Sequence, residues 1–324
     1  MLSHIVHRVL QSFGVLTAMS LLVFAGVYAV GNPMDILVNP QSDQNEIARA
    51  TAALGLDRPL LEQYFVFIGH AAIGDLGRSF AFNVPAIGLI LERMPATLEL
   101  ATAAMLIAVL LGIPLGLWAG LRPRSAAARA IMAGSILGFS LPTFWVGLML
   151  IMVFSVWLGW LPTSGRGPTA NLLGIPVSFL TLEGLRHLVL PAANLALFNL
   201  SLLIRLTRSG TREAMQQDYV RFARAKGLTE TRVVGVHVLR NVLVPVVTVA
   251  GVEFGSVIAF AVVTESIFAW PGMGKLLIDS INVLDRPVIV GYLCIVVTLF
   301  VAINLAVDLA YSWLDPRVRP GETR

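Results

Sequence analysis

One cysteine, Cys294, stands in 324 residues, so no disulfide can staple this chain to itself. Charge is nearly as scarce. Asp, Glu, Lys and Arg make up 13% of the residues, about half the ~25% of an ordinary soluble domain. With 56% hydrophobic residues, that shortage excludes intrinsic disorder, which needs low hydrophobicity and high charge. A mean hydropathy of +0.80 leaves too little polar surface for a soluble protein of this length.

Catalytic signatures are missing too. Gly272-Met273-Gly274-Lys275 comes nearest to a phosphate-binding loop, but Ala269 stands where its first glycine belongs and Leu276 where Ser or Thr would follow. Gly138-Phe139-Ser140-Leu141-Pro142 lacks the last glycine of a nucleophile elbow. Of the five histidines, only His4 and His7 lie at helical spacing, and no carboxylate or thiol joins them as a metal ligand. No catalytic residue, metal or cofactor is therefore expected. No internal repeat or low-complexity segment stands out. The net charge of +4 is read as membrane topology, with no nucleic-acid partner.

Apolar length, by contrast, is abundant. A bilayer core of about 30 Å takes about 20 helical residues to cross. Six runs reach that length: Leu10–Val30, Thr97–Leu121, Ile131–Leu158, Leu188–Leu206, Val242–Ile267 and Val288–Leu314. They are long and continuous, as spanning helices are, and not short and alternating like barrel strands. The expected class is an all-α polytopic membrane protein with six transmembrane helices. The first run is read as an uncleaved anchor, because it is long for a signal peptide and Val27-Tyr28-Ala29 is a weak cleavage site.

Basic residues set the orientation. With the N-terminus inside, the inner segments hold Arg8, Arg122, Arg124, Arg129, the series from Arg205 to Arg240, and Arg317, Arg319 and Arg324. In the outer 31–95 segment, acidic residues outnumber basic ones. Both termini are therefore expected in the cytoplasm. Trp118 and Trp313 then fall at inner ends, and Trp157, Trp160 and Trp270 at outer ends. Within 31–95, Asn45–Leu54 reads as a short helix, Pro59–Ala72 as an amphipathic one, and Gly74-Asp75-Leu76-Gly77 as a turn. This segment is either a folded cap on the outer face or a docking surface for a delivery protein.

The densest information lies between the fourth and fifth runs. Asp218-Tyr219-Val220-Arg221-Phe222-Ala223-Arg224-Ala225-Lys226 is closed by Gly227. Asp218 can cap a helix start, and Gly227 suits the left-handed residue past a helix end. Tyr219, Phe222 and Ala223 share one face, and Arg221 and Arg224 another. Thr229 offers a second cap, so two short helices are expected to meet at Gly227. The residues allow an interfacial helix on anionic lipid headgroups. They equally allow a knob that docks into a groove on a soluble partner.

Seven segments in order carry a resemblance. They are Leu54-Gly55-Leu56-Asp57-Arg58-Pro59, Gly74-Asp75-Leu76-Gly77-Arg78-Ser79, Ala96-Thr97-Leu98-Glu99-Leu100, Leu161-Pro162-Thr163-Ser164-Gly165-Arg166, Asp218–Leu228, Trp270-Pro271-Gly272-Met273-Gly274-Lys275 and Asp315-Pro316-Arg317. Through them nearly the whole chain resembles the permease subunits of ATP-binding-cassette (ABC) importers for dipeptides, oligopeptides and related solutes.

The resemblance implies a type I permease fold, with an anchor helix (1–30), an external segment (31–95), a permease core (96–314, with a coupling loop at 207–241) and a cytoplasmic tail (315–324). It implies a coupling helix in which Asp218, Tyr219, Arg221, Phe222, Ala223, Arg224, Ala225, Lys226 and Gly227 engage an ATPase. Ala223 and Gly227 match the family's loop, whereas Arg221 stands where the generic motif has Glu. The implied partners are a second, similar permease, two ATPase subunits, an external solute-binding protein and the lipid of a bacterial inner membrane.

Ionisable residues on the spans are rare enough to read singly. Glu99 and Glu265 lie near outer ends, within reach of water or headgroups, and Asp308 lies near an inner end. Glu253 falls midway along the fifth run, where a bare charge costs about 2.5–3.5 kcal/mol on insertion scales. It is a candidate for the substrate path, favouring a positively charged group; a hydrogen bond to a neighbouring helix is the structural alternative. It is also the single midplane candidate for an ion site, which an ion-coupled secondary transporter, the competing class, would need.

Overall fold

The structure is a computed structural model that describes residues 2–29, 52 and 57–314. The expected helix Asn45–Leu54 apart from residue 52, Leu54-Gly55-Leu56 of the Leu54–Pro59 segment, and Asp315-Pro316-Arg317 lie outside the described residues, as do the side chains of His4, His7, Arg8, Asp308 and Trp313. The chain divides into two compact units, residues 1–95 with 271–324, and residues 96–270.

The first unit contains α1 (Leu2–Ala29), α2 (Leu60–Ala72), the start of α3 (Ala86–Leu121), α9 (Met273–Asn282) and α10 (Arg286–Leu314). α1 packs along α10. α2 is the amphipathic helix expected after Pro59. It rests on α1 through a Ser20–Tyr64 hydroxyl contact of 2.8 Å and the edge of Tyr64 against Phe24. Gly74 and Gly77 both take φ near +81°, which a glycine adopts without a Cβ clash, and the Gly77 N–H donates to Asp75 Oδ1 at 3.1 Å, closing the expected turn. The start of α10 is tied down by Asp285. Its buried carboxylate accepts from Ser79 Oγ and from the Phe80 and Ala81 N–H groups at 3.1 and 3.3 Å.

The second unit holds the rest of α3, then α4 (Ala126–Ser140), α5 (Thr143–Leu150, continued by a π-helical stretch Ile151–Trp157), a hairpin of β1 (Ala170–Leu172) with β2 (Ile175–Val177), α6 (Leu182–Gln216), α7 (Asp218–Ala225) and α8 (Glu230–Ile267). Small residues let helices approach closely. A Cβ on Gly116 would lie 2.6 Å from Thr207 Cβ and 2.7 Å from the Ile204 carbonyl oxygen, and one on Gly120 would lie 2.6 Å from Thr211 Cβ. α3 and α6 thus meet along a Gly-every-fourth stripe, the packing that membrane helices use in place of a hydrophobic driving force.

Among the described residues, α3, α6, α8 and α10 are each long and apolar enough to cross a membrane, and α1 carries a shorter apolar stretch, Phe13–Gly26. The remaining expected span, Ile131–Leu158, is not one straight helix. α4 and α5 meet at 110° across Leu141-Pro142. Pro142 has no N–H to continue the helix, and its ring drives Leu141 into extended backbone (φ −79°, ψ 136°). Pro191 and Pro245 also sit in apolar helices, yet α6 and α8 run on through them. The expectation of two short helices meeting at Gly227 also needs correcting. The second is the first turn of α8, which passes through a π-helical stretch, Val233–Val238, into the fifth apolar run.

Candidate functional site: the exposed elbow at Gly227

α7 is eight residues long, and its lower edge is apolar. Val220 and Ala223 are buried in a cluster with Ala214, Leu203, Val233, Val238 and Val242, with Leu228 packed against it. This alters the expected faces. Ala223 belongs with Val220 on the buried side, while Tyr219 and Phe222 turn outward, Phe222 with 63% of its surface exposed. Asp218 is not the cap. Gln217 holds that position, and the Asp218 carboxylate lies in the first turn, accepting from Arg221 Nη1 at 3.4 Å. A negative charge there still suits the positive end of the helix. Thr229 precedes α8 as expected, but its hydroxyl makes no cap bond.

Gly227 takes φ +79°, as its place past the helix end required. The turn is stitched by the N–H groups of Lys226, Gly227 and Leu228, which donate to the carbonyls of Phe222, Arg224 and Ala223. Lys226 Nζ lies 4.6 Å over the Phe222 ring. Arg224 donates through Nε to Glu230 Oε1 at 2.7 Å and through Nη2 to Oε2 at 3.1 Å. The Glu230 carboxylate holds the guanidinium above even its usual basic value, chiefly by that hydrogen bond. The exposed part of α7 is therefore an aromatic patch of Tyr219 and Phe222 rimmed by Arg221 and Lys226, on an apolar footing.

Glu253 is half-buried on α8. Among the described residues its carboxylate makes no hydrogen bond or ion pair, so the alternative of an interhelical bond has no partner here.

A second cluster escaped the sequence reading. Glu99, expected to reach water or headgroups, is buried. It accepts from Arg166 Nε and Nη2 at 3.0 and 2.5 Å, from the Ser178 N–H and Oγ at 2.7 Å each, and from the Phe179 N–H at 3.0 Å. Arg166 also donates to the Pro176 carbonyl on β2 at 2.7 Å and stacks over Trp270. Glu265 is likewise buried, accepting from Thr97 Oγ1 at 2.6 Å. Trp270, placed by the sequence at a membrane interface, is fully buried with Nε1 donating to the Ala96 carbonyl. Isolated charges near span ends were visible in the sequence. That an Arg 67 residues away would neutralise one of them was not.

Comparison with known proteins adds two kinds of finding. The family model described as the binding-protein-dependent transport system inner membrane component matches residues 112–320, and its N-terminal companion matches residues 1–101. The chain is 42% identical to the di/tripeptide transport system permease protein DppB of Pseudomonas aeruginosa, with 98% of this chain and 99% of that protein covered. It is 38% identical to the dipeptide transport system permease protein DppB of Escherichia coli K12 and 39% to the oligopeptide transport system permease protein AppB of Bacillus subtilis 168, each over 98% of this chain and 99% of the relative. Among solved structures, an inward-facing MetNI methionine ABC transporter chain superposes with a TM-score of 0.54 at 15% identity, covering 71% of this chain and 97% of that one, which is a likeness of fold.

Proposed function

This chain belongs to the inner-membrane component family of binding-protein-dependent transport systems, and from that premise we propose that it forms one half of a peptide path through the membrane, driven through the Gly227 elbow. It is a permease subunit of an ABC importer. ATP hydrolysis resides in partner subunits, and a solute-binding protein delivers the cargo. Membership in this family sets aside the ion-coupled alternative.

The cargo is a dipeptide or short oligopeptide. A second, similar permease completes the path, because one chain has too few helices to enclose a peptide. Two ATPase subunits bind on the cytoplasmic side, where both termini lie and where the inner basic residues collect. The contact is made by α7 through Asp218, Tyr219, Arg221, Phe222, Ala225 and Lys226, on a frame supplied by Ala223, Arg224 and Gly227.

The observation that carries this reading is the combination at α7: a large aromatic held in the open beside cationic side chains, on a short helix fastened to the ends of two spans. Phe222 keeps 63% of its surface exposed even with Lys226 over its ring, and a groove on a soluble partner would bury the rest. ATP favours the closed ATPase pair, so closure shifts the permease pair toward its outward-open form by the difference in affinity, and hydrolysis resets it. This chain makes or breaks no covalent bond. Glu253, which has no hydrogen-bond or ion-pair partner among the described residues, is proposed to face the path and favour cargo with a positive group.

The test is co-purification. Tagged chain from native membranes is expected to retain an ATPase subunit, and Phe222→Ala is expected to lose it while the permease still folds. Retention unchanged in Phe222→Ala would end this assignment of the elbow. Likewise Glu253→Gln is expected to weaken uptake of cationic dipeptides relative to neutral ones, and an unaltered preference removes Glu253 from the path.

A further inference from the structure

Resting on the elbow as the ATPase contact, we propose that Glu230 is a positioning residue for energy coupling: its two-point pair with Arg224 fastens α7 to the first turn of α8 across Gly227, so that α7 and α8 move as one body.

Gly227 is the weak joint in this stretch. It is in the left-handed region, has no side chain, and has nothing within 4 Å of where a Cβ would stand, so the turn itself is held by its backbone hydrogen bonds alone. α7 is too short to be stable alone, and its footing of Val220 and Ala223 restrains one side only. A push on Tyr219 and Phe222 would be absorbed by rotation at the glycine unless the other side is also tied.

Arg224 and Glu230 are that tie. Their two hydrogen bonds are the side-chain bonds that bridge Gly227 among the described residues. Both carboxylate oxygens and two guanidinium nitrogens are used, which fixes orientation as well as distance. Arg224 therefore faces its own chain. Arg221 differs in kind, since among the described residues it reaches only Asp218 on the same helix, at 3.4 Å, and stays available to a partner.

Stability does not account for the pair. With side chains 40% and 64% exposed, it belongs to the class that contributes little to folding. Its placement does account for it. Glu230 opens the helix that runs through Val233 and Val238, both fully buried, toward Glu253. The buried ends hold the π-helical stretch in place, and the strap joins that held segment to the knob. Movement of α7 is then delivered to α8.

The experiment uses the tagged chain purified from native membranes with its ATPase subunits, partner permease and loaded binding protein, reconstituted in lipid nanodiscs. Retention of the ATPase subunits and stimulation of MgATP hydrolysis by the binding protein are both measured. In wild type, retention and stimulation are expected; absence of either defeats the proposed function itself and leaves nothing for a strap to transmit. In Glu230→Gln, retention and thermal midpoint are expected to match wild type while most of the stimulation is lost. The exchange Arg224→Glu with Glu230→Arg is expected to restore stimulation that Arg224→Glu alone removes. Stimulation preserved in Glu230→Gln, loss of the ATPase from Glu230→Gln, or an exchange that restores nothing each overturns the strap.

Discussion

Two arginine–carboxylate pairs lie in the same unit, and they are built to opposite specifications. Arg166 and Glu99 have side chains only 11% and 3% exposed, and Glu99 takes further bonds from Ser178 and Phe179. Arg224 and Glu230 also meet through Nε and Nη2, but on both carboxylate oxygens and in the open, with no further donor to Glu230 among the described residues. The first pair gathers the loop after α5, the β hairpin and α3 around one carboxylate. The second crosses a glycine beside an exposed aromatic. Desolvated charges are costly unless fully bonded, so the buried pair is saturated and its loss is structural. In water the same chemistry is nearly neutral in free energy, so the exposed pair can serve geometry alone.

The largest effect is expected at the buried pair. Glu99→Ala strands an arginine and the donors at Ser178 and Phe179, and should lower stability by about 3–5 kcal/mol. Thermal denaturation in detergent should show it, and a midpoint like wild type would erase the contrast between the two pairs. Gly116→Ala comes next. Its methyl meets Thr207 and the Ile204 carbonyl closer than packing allows, so about 1–3 kcal/mol of overpacking is expected in the same assay. Gly227→Ala has open space around it and bears only the cost of a left-handed alanine, about 1–2 kcal/mol. That strain falls on the elbow, so ATPase retention should drop more than the thermal midpoint.

The smallest effect concerns pH. The hydrogen bonds from His70 and the Gly77 N–H hold the Asp75 carboxyl below its ordinary value. A depressed folded value stabilises above the unfolded one and is lost as pH falls through it, so the contribution of Asp75 should fade as pH falls through and below the ordinary carboxylate range. Comparing Asp75→Asn with wild type across that range checks the sign; a difference that grows as pH falls through it contradicts the depressed value.

Much of this architecture was legible because its causes are local. Apolar runs announce spans, Gly227 announced a left-handed turn, and Gly74 and Gly77 another. Pro142 was visible as well, but whether a proline bends or breaks a helix depends on what its freed carbonyls and neighbours find, which is why Pro191 and Pro142 differ. The elbow's faces were misjudged at Ala223 and Asp218 for the same reason. In an eight-residue helix, several rotations satisfy the pattern, and only the position of Val233 and Leu203 selects one.

Composition and the order of the motifs determined by themselves that this is a membrane-embedded permease with a left-handed turn at Gly227, because insertion into lipid and turn chemistry act within short stretches of chain. The tertiary structure alone decided that Glu99 and Glu265 are buried, that Trp270 is core, and that Arg224 faces Glu230. Each of those depends on a partner brought from elsewhere in the fold, and the stability of a charge out of water is a property of the pair.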